Sequence, residues 1–144
     1  MTHILIDGPI DPGHIASEIS DAGQDRESGG HSVFIGQVRN DSVEGKPVEA
    51  IEYSAYPAMA DAEADRIASE LRSIFPDLRK IVILHSTGIV KAGEISLFVM
   101  ASAGHRAQAI EACREAVERI KERLPVWKKE LFSDESFRWK DNSK

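Results

Sequence analysis

The chain has 144 residues, 42% of them hydrophobic and 29% charged, which suits one domain with a real core and is too short for two ordinary ones. A formal net charge of -6 argues against a globally basic nucleic-acid binder. The single cysteine, Cys113, excludes an internal disulfide and every multi-cysteine zinc or iron–sulfur site.

In chain order, His3 to Asp7 reads as a short strand. Asp11-Pro12 has the form of an N-cap followed by proline at the first helical position, with Ile15 and Ile19 four apart on the helix that follows. Gln24 to Gly30 is a polar, glycine-rich loop. Ser32 to Arg39 carries β-formers, with Val33 and Ile35 expected to be buried and Phe34 a further candidate. Asn40 to Pro47 reads as a turn or loop, and Val48 to Tyr56 as a third strand. Pro57 opens a helix whose apolar stripe is Ala60, Ala64, Ile67, Leu71 and Ile74, stopped by Pro76-Asp77. Lys80 to His85 and Ile95 to Ser102 are strands with Gly93 between them. The longest helix follows Gly104, with Ile110, Cys113, Val117, Ile120 and Leu124 along one face, and Pro125 ends it. Val126 to Phe132 is a strand, and Phe137 to Trp139 a short extended piece.

Adjacent strands without intervening helices argue against a doubly wound parallel sheet. The expected fold is a single α+β domain with three main helices and a mixed, largely antiparallel sheet, over residues 1–140, followed by a frayed tail at 141–144. No stretch approaches the ~20 apolar residues of a membrane span. The acidic, proline-containing start lacks the pattern of a signal peptide, so the expected compartment is the cytoplasm.

Charge is unevenly spread. Residues 1–104 carry 8 Lys and Arg against 16 Asp and Glu, whereas residues 105–144 carry 10 against 8. A locally basic end on an acidic chain points to a focused anion site. Phosphate-loop, dinucleotide, HExxH and GxSxG motifs are absent, and the five histidines lack ligand spacing, so no metal and no cofactor is expected. Asp61, Glu63 and Asp65 read as a solvated face favourable to the helix dipole. Cys113, on an apolar stripe, reads as a core residue rather than a nucleophile.

Three clusters have chemical potential, each beside a plainer reading. Ser102-Ala103-Gly104-His105-Arg106 joins a strand to a helix N-terminus, where free N–H groups and two cations would hold an anion; the plainer reading is an exposed pair. In the strand after Pro125, Lys128 and Glu130 share a face while Trp127, Lys129 and Leu131 take the other. With Lys121 flanking the preceding helix stripe, Lys128 makes a pair suited to proton transfer or nucleophilic work, or two solvated lysines. Gly36 and Arg39 mark close backbone approach and a second anion clamp, or an ordinary edge-strand arginine.

Together these segments resemble a known family. Phe34-Ile35-Gly36-Gln37-Val38-Arg39-Asn40, Tyr56-Pro57-Ala58-Met59, His85 with Gly88, Gly104-His105-Arg106, Pro125-Val126-Trp127-Lys128-Lys129-Glu130 and Arg138-Trp139 have the order and spacing of the catalytic (large) subunit of molybdopterin synthase. The resemblance implies an α/β hammerhead-type fold and a homodimer inside a heterotetramer. It implies as partner a small ubiquitin-like sulfur-carrier subunit whose C-terminal Gly-Gly thiocarboxylate threads into the pocket. It implies sulfurtransferase activity in molybdenum cofactor biosynthesis, with two sulfurs passed to cyclic pyranopterin monophosphate to make molybdopterin. Carried over by residue, Lys121 and Lys128 would be catalytic. Gln37, Val38, Arg39, His105, Arg106, Lys129 and Glu130 would bind substrate with them, and Phe34 and Arg138 would adjoin the pocket. Part of the pocket would come from the other protomer. Gly104 departs from the alanine common there in the family, and Ser54-Ala55 from a more acidic neighbourhood. The alternative is a non-catalytic module that holds a phosphate ligand or a ubiquitin-like tail, which would keep Arg39, His105 and Arg106 without needing two lysines together.

Overall fold

The computed structural model describes residues 2–140; the tail expected at 141–144 lies outside the described residues. The elements are β1 (Leu5–Asp7), α1 (Pro12–Ala22), β2 (Gly30–Gln37), β3 (Ser42–Val43), β4 (Lys46–Ala55), α2 (Pro57–Ile74), β5 (Leu78–Lys91), β6 (Ile95–Ala103), α3 (Arg106–Arg123), β7 (Val126–Phe132) and β8 (Phe137–Trp139). The strands form one sheet in the order β2-β6-β5-β4-β7-β8, with β1 beside β5 and β3 beside β4. Only β1–β5 is parallel, so the sheet is mixed and largely antiparallel, as expected.

Local chemistry explains the boundaries that the sequence marks well. Asp11 accepts the Gly13 N–H at 2.6 Å and Pro12 occupies the first turn of α1. Pro57 likewise starts α2. The Asn40–Pro47 stretch holds a hairpin, β3–β4, turned through Glu44 and Gly45 with φ of 52° and 80°. Two successive positive φ values are what a two-residue turn between right-twisted strands requires.

β5 extends to Lys91, well past the expected end at His85. Its first half pairs with β6 up to His85↔Leu97, and its second half pairs with β4 from Tyr53↔Gly88 onward. Gly88, at φ +76°, sits where the strand changes partner, a conformation that side chains rarely adopt. One long strand thus joins the two halves of the sheet and brings His85 close to Tyr53.

The sheet carries a core on each face. Ile10, Ile15, Ala22, Leu84, Phe98 and Met100 close the α1 side. The larger core takes Ala60, Ala64, Ile67 and Leu71 of α2 and Ala112, Cys113, Ala116 and Ile120 of α3 against alternate strand residues such as Ile83, Val99 and Ala101. Cys113 is buried as expected, and burial pushes its thiol up. The exposed ends of three stripes correct the sequence reading: Ile19, Ile74 and Ile110 all face outward. On α3 the buried line is alanine-rich, displaced by one residue from Ile110 to Ala109, because small side chains let the helix sit close to β2 and β6.

Two further corrections concern polar residues and edges. Asp61 is not on a solvated face; it is buried and accepts the Ile4 N–H at 2.9 Å with His3 Nδ1 at 2.9 Å, tying the N-terminal segment to α2. Val33 and Ile35 are exposed, as is Phe34, because β2 is an edge strand with only β6 beside it.

Gly29 gives a stability prediction. A Cβ there would collide with the Gly104 carbonyl oxygen, a backbone atom that cannot swing away. Gly29→Ala is expected to destabilise the fold by about 1–3 kcal/mol, the range for overpacking. Urea unfolding would read this as a lower midpoint at unchanged slope; an unchanged midpoint contradicts it.

Candidate active site

The last turn of α3 is braced from one side. Arg123 donates to Glu70 at 2.7 Å and to Glu63 at 2.7 Å, and Arg119 donates to Glu70 at 2.7 Å, clamping α3 to α2. Lys121 lies midway between those arginines, about 200° around the helix from each, so the clamp turns it to the opposite side. There it meets β7. Strand alternation turns Lys128 and Glu130 inward and Trp127 outward, with Tyr53 opposite Lys128 and Ile51 opposite Glu130 on β4.

The result is a half-open cleft of about 270 Å³ lined by Gly36, Gln37, Val38, Arg39, Ile51, Tyr53, Ser96, Lys121, Lys128 and Lys140. No carboxylate lines it among the described residues, so the cleft is cationic on an acidic chain. Tyr53 is buried, and loss of solvent holds its phenol above the ordinary value while Ser96 opposes the shift with a hydrogen bond. Lys128 is buried and its ammonium is lowered to about 8, first by desolvation and then by the charges of Lys121 and Lys140. Lys121 keeps more solvent contact; desolvation and then Lys140 shift it downward as well. One buried ammonium group with a second beside it at the cleft favours any arriving negative charge, and such perturbed groups in a cleft are a signature of functional sites.

Arg39 stands at the rim with its guanidinium held by Asp41, Nε to Oδ1 at 2.7 Å and Nη2 to Oδ2 at 3.3 Å. The rim pair is exposed, so an incoming anion can compete for it. Gly36 lines the cleft where a Cβ would press at 3.1 Å on Leu97, its partner on β6.

Of the residues named from sequence, Gln37, Val38, Arg39, Lys121 and Lys128 meet in this cleft. Lys129 does not. It is on the other face of β7, with Nζ 4.4 Å from the Phe137 ring centre, 5.2 Å from that of Trp139 and 3.7 Å from Glu52. Glu130 shares the Lys128 face but is buried and paired with Arg138 at 3.0 Å, so the two neutralise each other beside the cleft rather than in it. Phe34 sits on the open edge of β2.

His105 and Arg106 are at the far end of α3, 16 and 15 residues from Lys121 and hence about 22–24 Å along the axis. One chain cannot bring both ends to one ligand. The helix N-terminus is also occupied from within: Asp77 Oδ2 accepts the His105 N–H at 2.7 Å and lies 3.2 Å from His105 Nδ1. Gly104 makes this fit, since a Cβ there would meet Asp77 Oδ1 at 2.5 Å. The anion that the helix start was expected to bind is, within the chain, this carboxylate. The His105 and Arg106 side chains stay exposed around it.

The MoaE protein family model matches residues 5–123. The chain belongs to the MoaE family. It is 44% identical to the molybdopterin synthase catalytic subunit of Drosophila persimilis over 145 aligned residues, covering 99% of this chain and 39% of that one. The chain therefore spans about two-fifths of the length of the curated relatives it matches. Among solved structures it resembles molybdopterin synthase from Staphylococcus aureus, with a TM-score of 0.84, 29% identity and 98% of each chain covered. It also resembles the MoaE protein of Burkholderia ambifaria, with a TM-score of 0.78, 25% identity, and 99% and 92% of the two chains covered.

Four cleft residues of this MoaE chain escaped the sequence reading: Ile51, Tyr53, Ser96 and Lys140. Tyr53 had a signal, since it sits on the buried alternate of a strand, but only the register sets it opposite Lys128. Lys140 is the last residue of the domain expected from sequence and carries no motif there. Its N–H donates to the Lys128 carbonyl at 2.9 Å, which carries its charge to the cleft.

Proposed function

We propose that this chain is the sulfur-transferring subunit of a molybdopterin synthase. In this reading it passes two sulfurs from the C-terminal thiocarboxylate of a small ubiquitin-like carrier to cyclic pyranopterin monophosphate. The single observation that carries the reading is the Lys121–Lys128 pair, forced together in a cationic cleft that no carboxylate lines among the described residues. A module that merely held a phosphate or a carrier tail would not need one of its cations buried at a depressed value. During each transfer, negative charge grows on the acyl oxygen and sulfur of the carrier terminus. Two preset ammonium groups would stabilise it there without solvent reorganisation. Arg39 and Lys140 at the cleft would bind the phosphate and orient the pterin, while the Gly36 backbone gives a glycine tail room to lie flat.

The reading extends to a homodimer that completes the site. At about 270 Å³ the cleft is small for a ligand of that size to be enclosed. The open β2 edge exposes Val33, Phe34 and Ile35 together with unpaired backbone groups. β2 starts beside the Arg106 backbone, where a Cβ on Gly30 would be 3.5 Å from the Arg106 Cα, and it ends at the cleft. Antiparallel pairing of two such edges would set His105 and Arg106 of one protomer beside the lysine cleft of its partner.

The test is reconstitution. Purified chain, thiocarboxylated carrier and cyclic pyranopterin monophosphate are expected to yield the dithiolene product, with a carrier carboxylate released for each sulfur passed. Absence of product, with the carrier and pterin shown competent with a known synthase, overturns the reading.

A further inference from the structure

His85 has no part in the chemistry described so far, yet it sits directly beneath it. The residue is buried on β5, with Leu5 of β1 and Leu97 of β6 as its strand partners. Its ring meets Tyr53 edge-on, with centres 5.2 Å apart and planes at 80°. Nδ1 lies 2.8 Å from the Ser86 carbonyl oxygen. A carbonyl only accepts, so Nδ1 carries the proton and donates it, and in the neutral ring Nε2 is then an acceptor. Nε2 is the distal atom of the side chain, away from its own backbone.

Beneath the cleft is a second, much smaller cavity of about 10 Å³, lined by His85, Lys121, Lys128, Leu97, Ile120, Leu124 and Val126. That is close to the smallest space that holds one water molecule. Its polar lining is one acceptor and two ammonium donors in an aliphatic wall. A water there can accept from both lysines and donate to Nε2, three hydrogen bonds in all. The titratable groups around the ring are Lys128 from β7, Lys121 from α3 and Tyr53 from β4, while β1 and β6 place Leu5 and Leu97 opposite it.

We propose that His85 is a positioning residue for the lysine pair, accepting through one cavity water the hydrogen bond that orients the ammonium groups toward the cleft. The inference rests on the reading that these lysines do the work of the site. Burial holds the imidazole down at about 4, with the charges of Lys128 and Lys121 adding to the shift. The ring is therefore neutral at any ordinary pH and far too weak a base to take a proton from Lys128, lowered to about 8. It is an acceptor, not a proton carrier. Sequence shows a histidine in an apolar strand that matches a family motif but carries no assigned role; the tautomer and the cavity give it a direction.

Packing and positioning separate cleanly in two variants. His85→Phe keeps a ring against Tyr53 but removes the acceptor, whereas His85→Gln keeps an acceptor and removes the ring. Acylation of Lys128 by an amine-reactive reagent, followed across pH by peptide mass spectrometry on the full chain without substrate, reads its apparent pKa. Loss of the acceptor disfavours the ammonium, so His85→Phe is expected to lower that value by about one unit, with His85→Gln close to wild type. In the reconstituted reaction kcat should fall more in His85→Phe than in His85→Gln, with KM for the pterin little changed. A wild-type value in His85→Phe, or an equal shift in both variants, overturns the proposal. Where His85→Phe fails to fold, ¹⁵N NMR of the wild-type ring decides instead: the Nδ1–H tautomer at pH 7 supports the proposal and the Nε2–H tautomer overturns it. Neither the labelling nor the NMR needs sulfur transfer, so failure of reconstitution alone counts against the proposed function and leaves this measurement standing.

Discussion

Lys121→Ala and Lys128→Ala are each expected to lower single-turnover sulfur transfer by about 10²–10³-fold, the usual cost of removing one preset charge-stabilising donor. Under the proposed function carrier binding should change far less, because a ubiquitin-like partner would rest on a surface much larger than one lysine tip. The pH dependence follows from the depressed Lys128 ammonium. If charge stabilisation is the role, the cationic form is the active one, and the rate should fall as pH rises through about 8. Lys128→Arg, always charged, should lose that alkaline fall while working at a reduced rate. The lysine pair shares its titration, so the fall belongs to the pair as a unit. A rate that instead rises through pH 8 would assign a neutral amine, acting as nucleophile or base.

The same burial has a stability signature of opposite sign. Lys128 is lowered from 10.5 to about 8 in the fold, so between those values the unfolded chain binds more protons. Stability should therefore rise as pH climbs from about 8 to 10.5, and below 8 the full cost of the buried charge is present. Lys128→Met is expected to recover as much as roughly 3 kcal/mol at pH 7 and to flatten that alkaline rise. A variant that gains stability as it loses activity is the expected mark of a site built against the fold's own preference. Denaturant midpoints at pH 7 and pH 10 would check it; equal losses of stability and activity would point to a structural lysine.

The second large effect is complementation. His105 and Arg106 are separated from Lys121 by most of the length of α3, so a site using both must draw on two chains. Lys121→Ala and Arg106→Ala should each be nearly inactive alone. Co-expressed at equal levels, half of the dimers carry one chain of each kind, and each of those has one site with both lesions and one with neither. Activity should return to about a quarter of wild type, the fraction of intact sites expected from random two-fold pairing. No recovery would place the whole site within one chain and remove any function of the α3 N-terminus in it. In that event the Asp77 cap over His105 would be a purely local device.

Elements with local signals were legible before any fold was known. Asp11-Pro12 and Pro57 start helices because capping and a fixed φ act within one turn. Alternation along Val126–Phe132 put Lys128 and Glu130 on one face and Trp127 on the other, because strand geometry has a period of two wherever it occurs; which face is buried came from the fold. Cys113 was legible as core for a similar reason. The motif set marked Gln37, Val38, Arg39, Lys121 and Lys128 before any of them had a position in space.

Which of the marked residues meet depends on how the strands and helices assemble. Val33 and Ile35 read as core because apolar β-formers look the same whether they face the interior or an open edge; strand order exposes them. Glu130 shares the Lys128 face yet is drawn from the cleft by Arg138, eight residues away and set opposite it by the β7–β8 register. His105 and Lys121 share one helix and one motif set, yet an 18-residue α-helix is rigid and holds its two ends apart. Burial, and with it the depressed charge of Lys128 and the neutrality of His85, comes from surfaces closing over groups that are distant in sequence. Residue identity and period are properties of a short stretch of chain, whereas desolvation and proximity belong to the assembled fold.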